Sequence, residues 1–548
     1  MSRILFLFLF PVLFVLSCNT PKMKVDLIIT NALVYMVNDS FTVAESFAVQ
    51  GGKFLAVGKN EEIAERYSSV NTIDADGKTV VPGFIDAHCH FFGYGMNLMQ
   101  YADLAGLPDQ ESIYRKLQEH QAKAGGDWLL GRGWDQNLWP EKEFPDNQRL
   151  NEMFPEIPVY LIRIDGHAAW CNAKALELAG ITANTKVDGG EVLLENGQTT
   201  GVLIDNAMEL VSKKIPVPTL ELKIKALLAA QQNCMEVGLT SVTDCGLPKE
   251  IILLMDSLQK RGLLKMRINA MMEPSEENLE YFMKNGQYVT DHLQVRTIKL
   301  YADGALGSRG AYLLGDYSDD PGNRGLLMNK ASYFEAICLK AYDAGFQVAT
   351  HCIGDGANRF ILNIYGEFLK GKNDRRWRIE HAQVVHPDDL QFFGKYSVVP
   401  SIQATHATSD MLWADERLGA KRINSAYAYQ QLLAQNDWLP NGTDFPVEGI
   451  NPALTFFASV CRKNTDGLPA DGFQMENALT REQALRSMTI WAAKAGFEEL
   501  KKGSIEPGKS ADFVVFDTDL MNCKESDILK AKVLKTVLGG EVVYKTGN

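Results

Sequence analysis

Short runs of apolar and β-branched residues alternate with longer amphipathic stretches over most of the chain. This alternation predicts repeated strand–helix units of a parallel sheet. The candidate strands are 80–90, 239–245, 267–272, 296–302, 346–352, 377–382, 397–402 and 437–444. Eight such units predict an α/β protein built as a (β/α)8 barrel of the TIM type, with its chemistry at the C-terminal ends of the strands. A ninth apolar run, 158–167, falls in the long interval between the first two candidates, where a plain βα unit needs only about 30 residues. Residues 101 to about 215 are therefore read as an insertion with strands of its own, including the hairpin-like "GGEVLLENGQTTGVLI". At both chain ends, "VDLIITNALVYMVN" and "KVLKTVLGGEVVYK" among them, short strands are separated by Gly and Asn/Asp turns. Chain ends often lie close together, so 24–80 and 496–548 are assigned to one small β-sandwich flanking a barrel over 81–495.

Arg3 precedes an apolar run from Ile4 to Leu16, too short for the ~20 residues that span a bilayer and of the length of a signal-peptide core. Ser17 followed by Cys18 resembles the lipobox of bacterial lipoproteins, where cleavage leaves a lipidated cysteine at the N-terminus. Residues 1–18 then form a lipoprotein signal peptide and lipobox. The mature protein is expected to be exported and lipid-anchored to a bacterial membrane, periplasmic or at the cell surface. An ordinary cleaved signal, or an anchor in which Cys18 has no part, stays open. The remaining cysteines are scattered without paired spacing and are read as buried thiols rather than disulfides. Lys and Arg number 55 against 68 Asp and Glu, a net charge of −13. That field repels phosphate backbones and anionic headgroups. Nucleic acid is excluded as a partner, and membrane contact is left to the lipid alone.

The strand ends carry His88 and His90, Lys299, His351, His381 and Asp444, although the whole chain has only nine histidines. Period-two alternation puts His88 and His90 on one face. A single strand histidine is more often structural; several converging on one barrel mouth point to a divalent metal centre, zinc first, with one or two ions. Lys299 either snorkels outward or has a chemical reason to sit beside cations. Asp444 reads as a ligand, as a turn residue after Asn441-Gly442, or as the general base that becomes the general acid. In the insertion, Trp134, Asp135, His167 and Trp170 shape a substrate pocket or pack its core. Arg309 and Asp303, past the fourth strand, orient substrate or hold their loop.

"PGFIDAHCH" (82–90), "KLYADGALGSR" (299–309), "ATHCIGD" (349–355), "RIEHAQ" (378–383) and "NGTDFPV" (441–447) resemble the amidohydrolase superfamily. The branch is that of the YtcJ-like metal-dependent hydrolases, which includes N-substituted formamide deformylase. "GRGWDQNLW", "RIDGHAAWCN" and "GSIEPGKSADFVVFD" resemble that branch too, and the likeness runs from about Val25 to Tyr544. The resemblance implies that His88 and His90 hold a first metal touched by Asp444, that His351 and His381 hold a second, and that Lys299 bridges them as a CO2-derived carbamate. It implies hydrolysis of a C–N bond in a small-molecule amide, N-acyl or N-formyl compound by metal-bound hydroxide. A mononuclear deaminase of a heterocyclic amine is the alternative within enzymes, but its pattern usually lacks the lysine of "TIKLYADG". A non-catalytic binding lipoprotein is the other, and a complete ligand set speaks against it. A homodimer is left open.

Overall fold

The computed structural model describes residues 21–124 and 126–547; the lipobox and Cys18 lie outside the described residues. Seven parallel strands form the barrel: β1 (Phe84–Cys89), β2 (Leu239–Leu247), β3 (Arg267–Met272), β4 (Leu293–Tyr301), β5 (Gln347–Cys352), β6 (Arg378–His381) and β7 (Val399–Ser401). Each pairs with its successor in that order. β1, β3, β5 and β6 are buried along their whole length, which is why they read as continuous rather than alternating apolar runs.

The eighth candidate, 437–444, is not a regular strand. Asn441 bridges Ile402 in parallel, its carbonyl accepts from the Ala87 N–H at 3.4 Å, and the Asp444 N–H donates to the His88 carbonyl at 2.7 Å. The segment thus lies between β7 and β1 and nearly closes the barrel. Its composition explains the missing ladder. Pro440 has no N–H to donate, and the Thr443 N–H and hydroxyl are taken by the Asp86 side chain at 3.1 and 2.7 Å. Gly442 is required there, because a Cβ would come within 2.4 Å of the His88 nitrogen.

The 158–167 run lies outside the barrel, where β1 pairs directly with β2. Val159–Arg163 belongs to a six-stranded sheet whose spatial order is Ala102–Asp103, Leu129–Trp134, Val159–Arg163, Ala168–Cys171, Gln198–Asp205 and Gly190–Glu195. Its hairpin turns at Asn196 and Gly197, with φ of 50° and 78°, the left-handed pair that a two-residue turn needs.

The expected 80–90 strand divides at Gly83. Thr79–Pro82 joins the terminal β-sandwich, where it pairs antiparallel with Phe513–Phe516, and β1 starts after it. The sandwich core contains Ile29, Phe47, Phe54 and Phe513, with Phe47 and Phe513 edge to face at 5.0 Å. Both chain ends therefore build the same small domain. Cys89, Cys171, Cys234, Cys245, Cys338, Cys352, Cys461 and Cys523 are all free thiols, and all but Cys523 are buried.

Candidate metal centre

Alternation along β6 sends Arg378 and Glu380 into the barrel interior. His381 would point the other way in a regular strand, but its φ of 72° breaks the alternation and turns its ring toward the mouth; such strain is held only where the surroundings enforce it. Glu380 and Arg378 are wholly buried, with Arg378 Nε 2.5 Å from Glu380 Oε1. The other oxygen of Glu380 accepts from His88 Nδ1 at 2.5 Å. With Nδ1–H committed, His88 Nε2 is left facing the mouth as an acceptor.

The strand-end residues come together there, and all six line one cavity of about 290 Å³. His88 Nε2 lies 3.2 Å from Lys299 Nζ and 3.5 Å from Asp444 Oδ1. His90 Nε2 is 3.3 Å from the same Asp444 oxygen, while its Nδ1 donates to the Cys245 carbonyl at 3.2 Å. The His381 ring stands 4.8 Å from His88 and 4.5 Å from His351. Among the described residues, His88, His381 and Asp444 offer ligand atoms that all lie within 4.8 Å of one another. This group cuts across the division implied by the resemblance, joining His381 to His88 and Asp444, while His351 directs Nε2 at the Gly304 carbonyl, 3.3 Å away.

Burial, reinforced by Lys299, pulls His88 down to about 4. Burial and neighbouring histidines hold His351 and His381 well below the ordinary imidazole value. These rings are therefore neutral, the form that binds metal. Burial works to raise Asp444, but the histidines around it, His88 first, hold its carboxyl well below the usual range. Lys299 is 1% exposed; burial acts to lower it, and Tyr301, Cys245, Glu380 and Asp444 together raise it. A metal fits this donor set. Imidazole nitrogens and a carboxylate suit zinc and similar divalent ions, and His381 Nδ1 is buried without a hydrogen-bond partner, a lone pair suited to a cation.

From the insertion, His167 reaches the cavity with its ring 4.8 Å from His351 and Nδ1 donating to Asp205 at 2.7 Å. Asp205 is seated against Gly304 and Gly310, where Cβ atoms would come within 2.3 and 2.6 Å of its Oδ2. Asp135 also lines the cavity and is paired with Arg163. Trp134 does not line it. Its indole is wholly buried in the insertion's core, donating to the Leu161 carbonyl at 2.8 Å and stacked on Trp139; Trp170 packs beside them. Arg309 turns away to Asp319 at 2.9 Å. Asp303 holds the loop after β4 by accepting from the Ile353, Gly354 and Tyr312 N–H groups.

Sequence reasoning missed Glu380 and His406. Glu380 stands next to a ligand candidate in "RIEH", and the rule of strand ends passes over a residue one step inside. His406 lies beyond the end of β7 on the helix Ala404–Asp410. Its Nε2 is 3.8 Å from Asp444 Oδ2, and its ring stacks on His381 at 5.7 Å.

The amidohydrolase family profile matches residues 71–544. A putative amidohydrolase, YtcJ of Bacillus subtilis, is 30% identical over 93% of this chain and 98% of its own. N-substituted formamide deformylase of Arthrobacter pascens is 24% identical over 95% of this chain and 99% of its own. Among solved structures, an uncharacterized metal-dependent hydrolase from Pyrococcus horikoshii superposes with a TM-score of 0.73 at 28% identity, covering 91% of this chain and 99% of that one.

Proposed function

The chain belongs to the amidohydrolase family, and from that premise we propose that it hydrolyses the C–N bond of an N-acyl or N-formyl amide. The observation that carries the reading is the buried group of His88, His381 and Asp444 at the mouth of the barrel, inside a cavity of about 290 Å³. The choice of bond is supported by the relative whose name specifies an N-substituted formamide. A divalent ion, zinc or similar, held by His88, His381 and Asp444, with His90 and His351 available to a second, would lower the pKa of a coordinated water and polarise the scissile carbonyl.

The protein's own groups do the rest. Asp444 Oδ1 faces His88 and His90, while Oδ2 faces His406. Oδ2 is the oxygen free to take a proton from the attacking water and return it to the leaving nitrogen. Glu380 holds His88 in the tautomer that presents Nε2. Lys299 as an ammonium would oppose a cation beside it; as a carbamate formed with CO2 it would supply a bridging anion. Leu306, Ile353, Leu412, Trp413 and Val447 give the cavity apolar walls, which limit water around the reacting atoms.

The test is metal analysis of the purified protein followed by a hydrolysis screen over N-formyl, N-acetyl and cyclic amides. Stoichiometric metal with amine and acid as products is expected. Metal-replete protein that cleaves none of these amides, or that releases ammonia from a heterocyclic amine instead, would overturn the proposal.

A further inference from the structure

A second cavity, of about 480 Å³, lies where the insertion meets the barrel. Its walls come from the helix after β1, through Tyr94 and Asn97, from the insertion, and from the loop Pro446–Ile450 that follows Asp444. Gly133, Ile164, Val447 and Glu448 line both this cavity and the catalytic one, so the two adjoin across those residues. Among the described residues, Arg132, in the stretch "GRGWD", is the one cation on its wall.

Among the described residues, Arg132 makes no ion pair, whereas Arg163, Arg267 and Arg378 are each bonded to a carboxylate. The one hydrogen bond of its side chain is a long contact from Nη2 to the Ile164 carbonyl at 3.4 Å, and its Nε is buried without a partner. The two carboxylates on the same wall are engaged elsewhere. Asp103 accepts from the Ala105 N–H at 3.2 Å, and Glu448 accepts from the Ser409 hydroxyl at 2.7 Å. Burial lowers the Arg132 pKa, and the more distant carboxylates of Asp444 and Asp165, neither of them bonded to it, offset this only in part. Next to its tip stands Gly166, whose absent Cβ would lie 3.3 Å from Nη2. A partly buried guanidinium that makes no ion pair is under-served, and its planar fork matches a carboxylate in two parallel hydrogen bonds.

We infer that Arg132 binds a carboxylate of the substrate in this second cavity while the scissile amide lies at the metal centre. This rests on the amide reading above for the reacting end alone. The substrate is then an acylated amine that carries an acid, and Arg132 is its specificity determinant. Binding energy gathered at this remote group would be available to position the reacting bond.

The experiment compares 3-phenylpropanoate with its neutral isostere 3-phenylpropanamide, by calorimetry, on the metal-loaded parent and on Arg132→Gln and Arg132→Lys. The parent is expected to favour the carboxylate by about tenfold or more. Arg132→Gln should abolish that preference and Arg132→Lys should keep part of it, with metal content unchanged. Because a carboxylate can also bind at the metal centre, the glutamine variant decides: a preference that survives in it overturns the inference, as does a parent that shows none. Should the variants fail to fold, phenylglyoxal labelling of the parent read by mass spectrometry takes their place. The carboxylate should protect Arg132 and the amide should not; equal labelling overturns the inference. If no amide is hydrolysed yet carboxylate binding depends on Arg132, the proposed reaction fails and this subsite stands. If neutral and acidic amides are cleaved equally well, the reaction stands and the subsite fails.

Discussion

Glu380→Gln is the substitution that most directly probes how the fold prepares its metal site. His88, Glu380 and Arg378 are wholly buried, with contacts of 2.5 Å on either side of the carboxylate. Glutamine can still accept from His88 Nδ1, but it loses the negative charge and turns an amide N–H₂ toward the guanidinium. Removing one member of a buried charge pair costs about 3–5 kcal/mol of stability. Removing the carboxylate behind a metal-binding histidine costs ~10–100-fold in metal affinity, about 1.4–2.8 kcal/mol. The two losses are separable. Competition against a chromophoric chelator reads the affinity, and thermal melts with and without chelator read the stability. In Glu380→Gln both should fall. Adding Arg378→Met should recover stability, because no buried charge is then left unpaired, without recovering affinity. A folded Glu380→Gln protein whose metal affinity stays within about twofold of the parent, far below the expected loss, would refute the reasoning and leave the trio a purely structural feature.

Asp444→Asn should lower turnover by ~10²–10⁴-fold while at least one metal remains by elemental analysis; activity at the parental level would remove Asp444 from proton transfer. Lys299→Ala should lower metal content and activity together, with short carboxylic acids restoring part of both, and full metal occupancy in the variant would exclude a bridging role. Burial pushes Asp244 up to about 7 from 3.8, so the stability its protonated form lends is complete below pH ~4, falls as pH rises from there, and is gone once pH has passed 7. Asp244→Asn should therefore gain on the parent as pH rises from ~4 to ~7 in thermal melts and hold that gain above 7, and a pH-independent difference would refute the assignment. For the lipobox reading, mass spectrometry of membrane-extracted protein should find acyl mass on a peptide beginning at Cys18; an intact Met1 terminus would dismiss it.

The barrel was legible because buried parallel strands are continuous apolar runs, and the active-site end of such a barrel follows from strand direction. Strand direction alone puts His88, His90, Lys299, His351, His381 and Asp444 at one mouth. It reached less far where side chains leave the strand rule. Asn441 to Asp444 close the barrel through single hydrogen bonds and the Asp86 side chain, a geometry no periodicity encodes. His406 sits on a helix past the strand end. Trp134 and Trp170 could not be told from pocket residues, since an aromatic cluster has the same composition whether it packs a core or faces a ligand. His167 was separated from them only by Asp205, a partner distant in sequence and brought near by the insertion's sheet.

The pairing of Thr79–Pro82 with Phe513–Phe516 sets the order in which the molecule can be finished. Asp512 ties this seam to the barrel, its carboxylate taking Arg267 of β3 at 2.7 Å and its carbonyl the Gly83 N–H at 2.9 Å. A chain emerging N-terminus first, from a ribosome or through a translocation channel, must carry the Thr79–Pro82 edge uncovered until nearly its last residues arrive. An exposed edge of this kind invites pairing with other chains. Assembly is therefore vectorially incomplete until synthesis ends, and loss of the final fifty or so residues would strip the support from the strand that delivers His88 and His90.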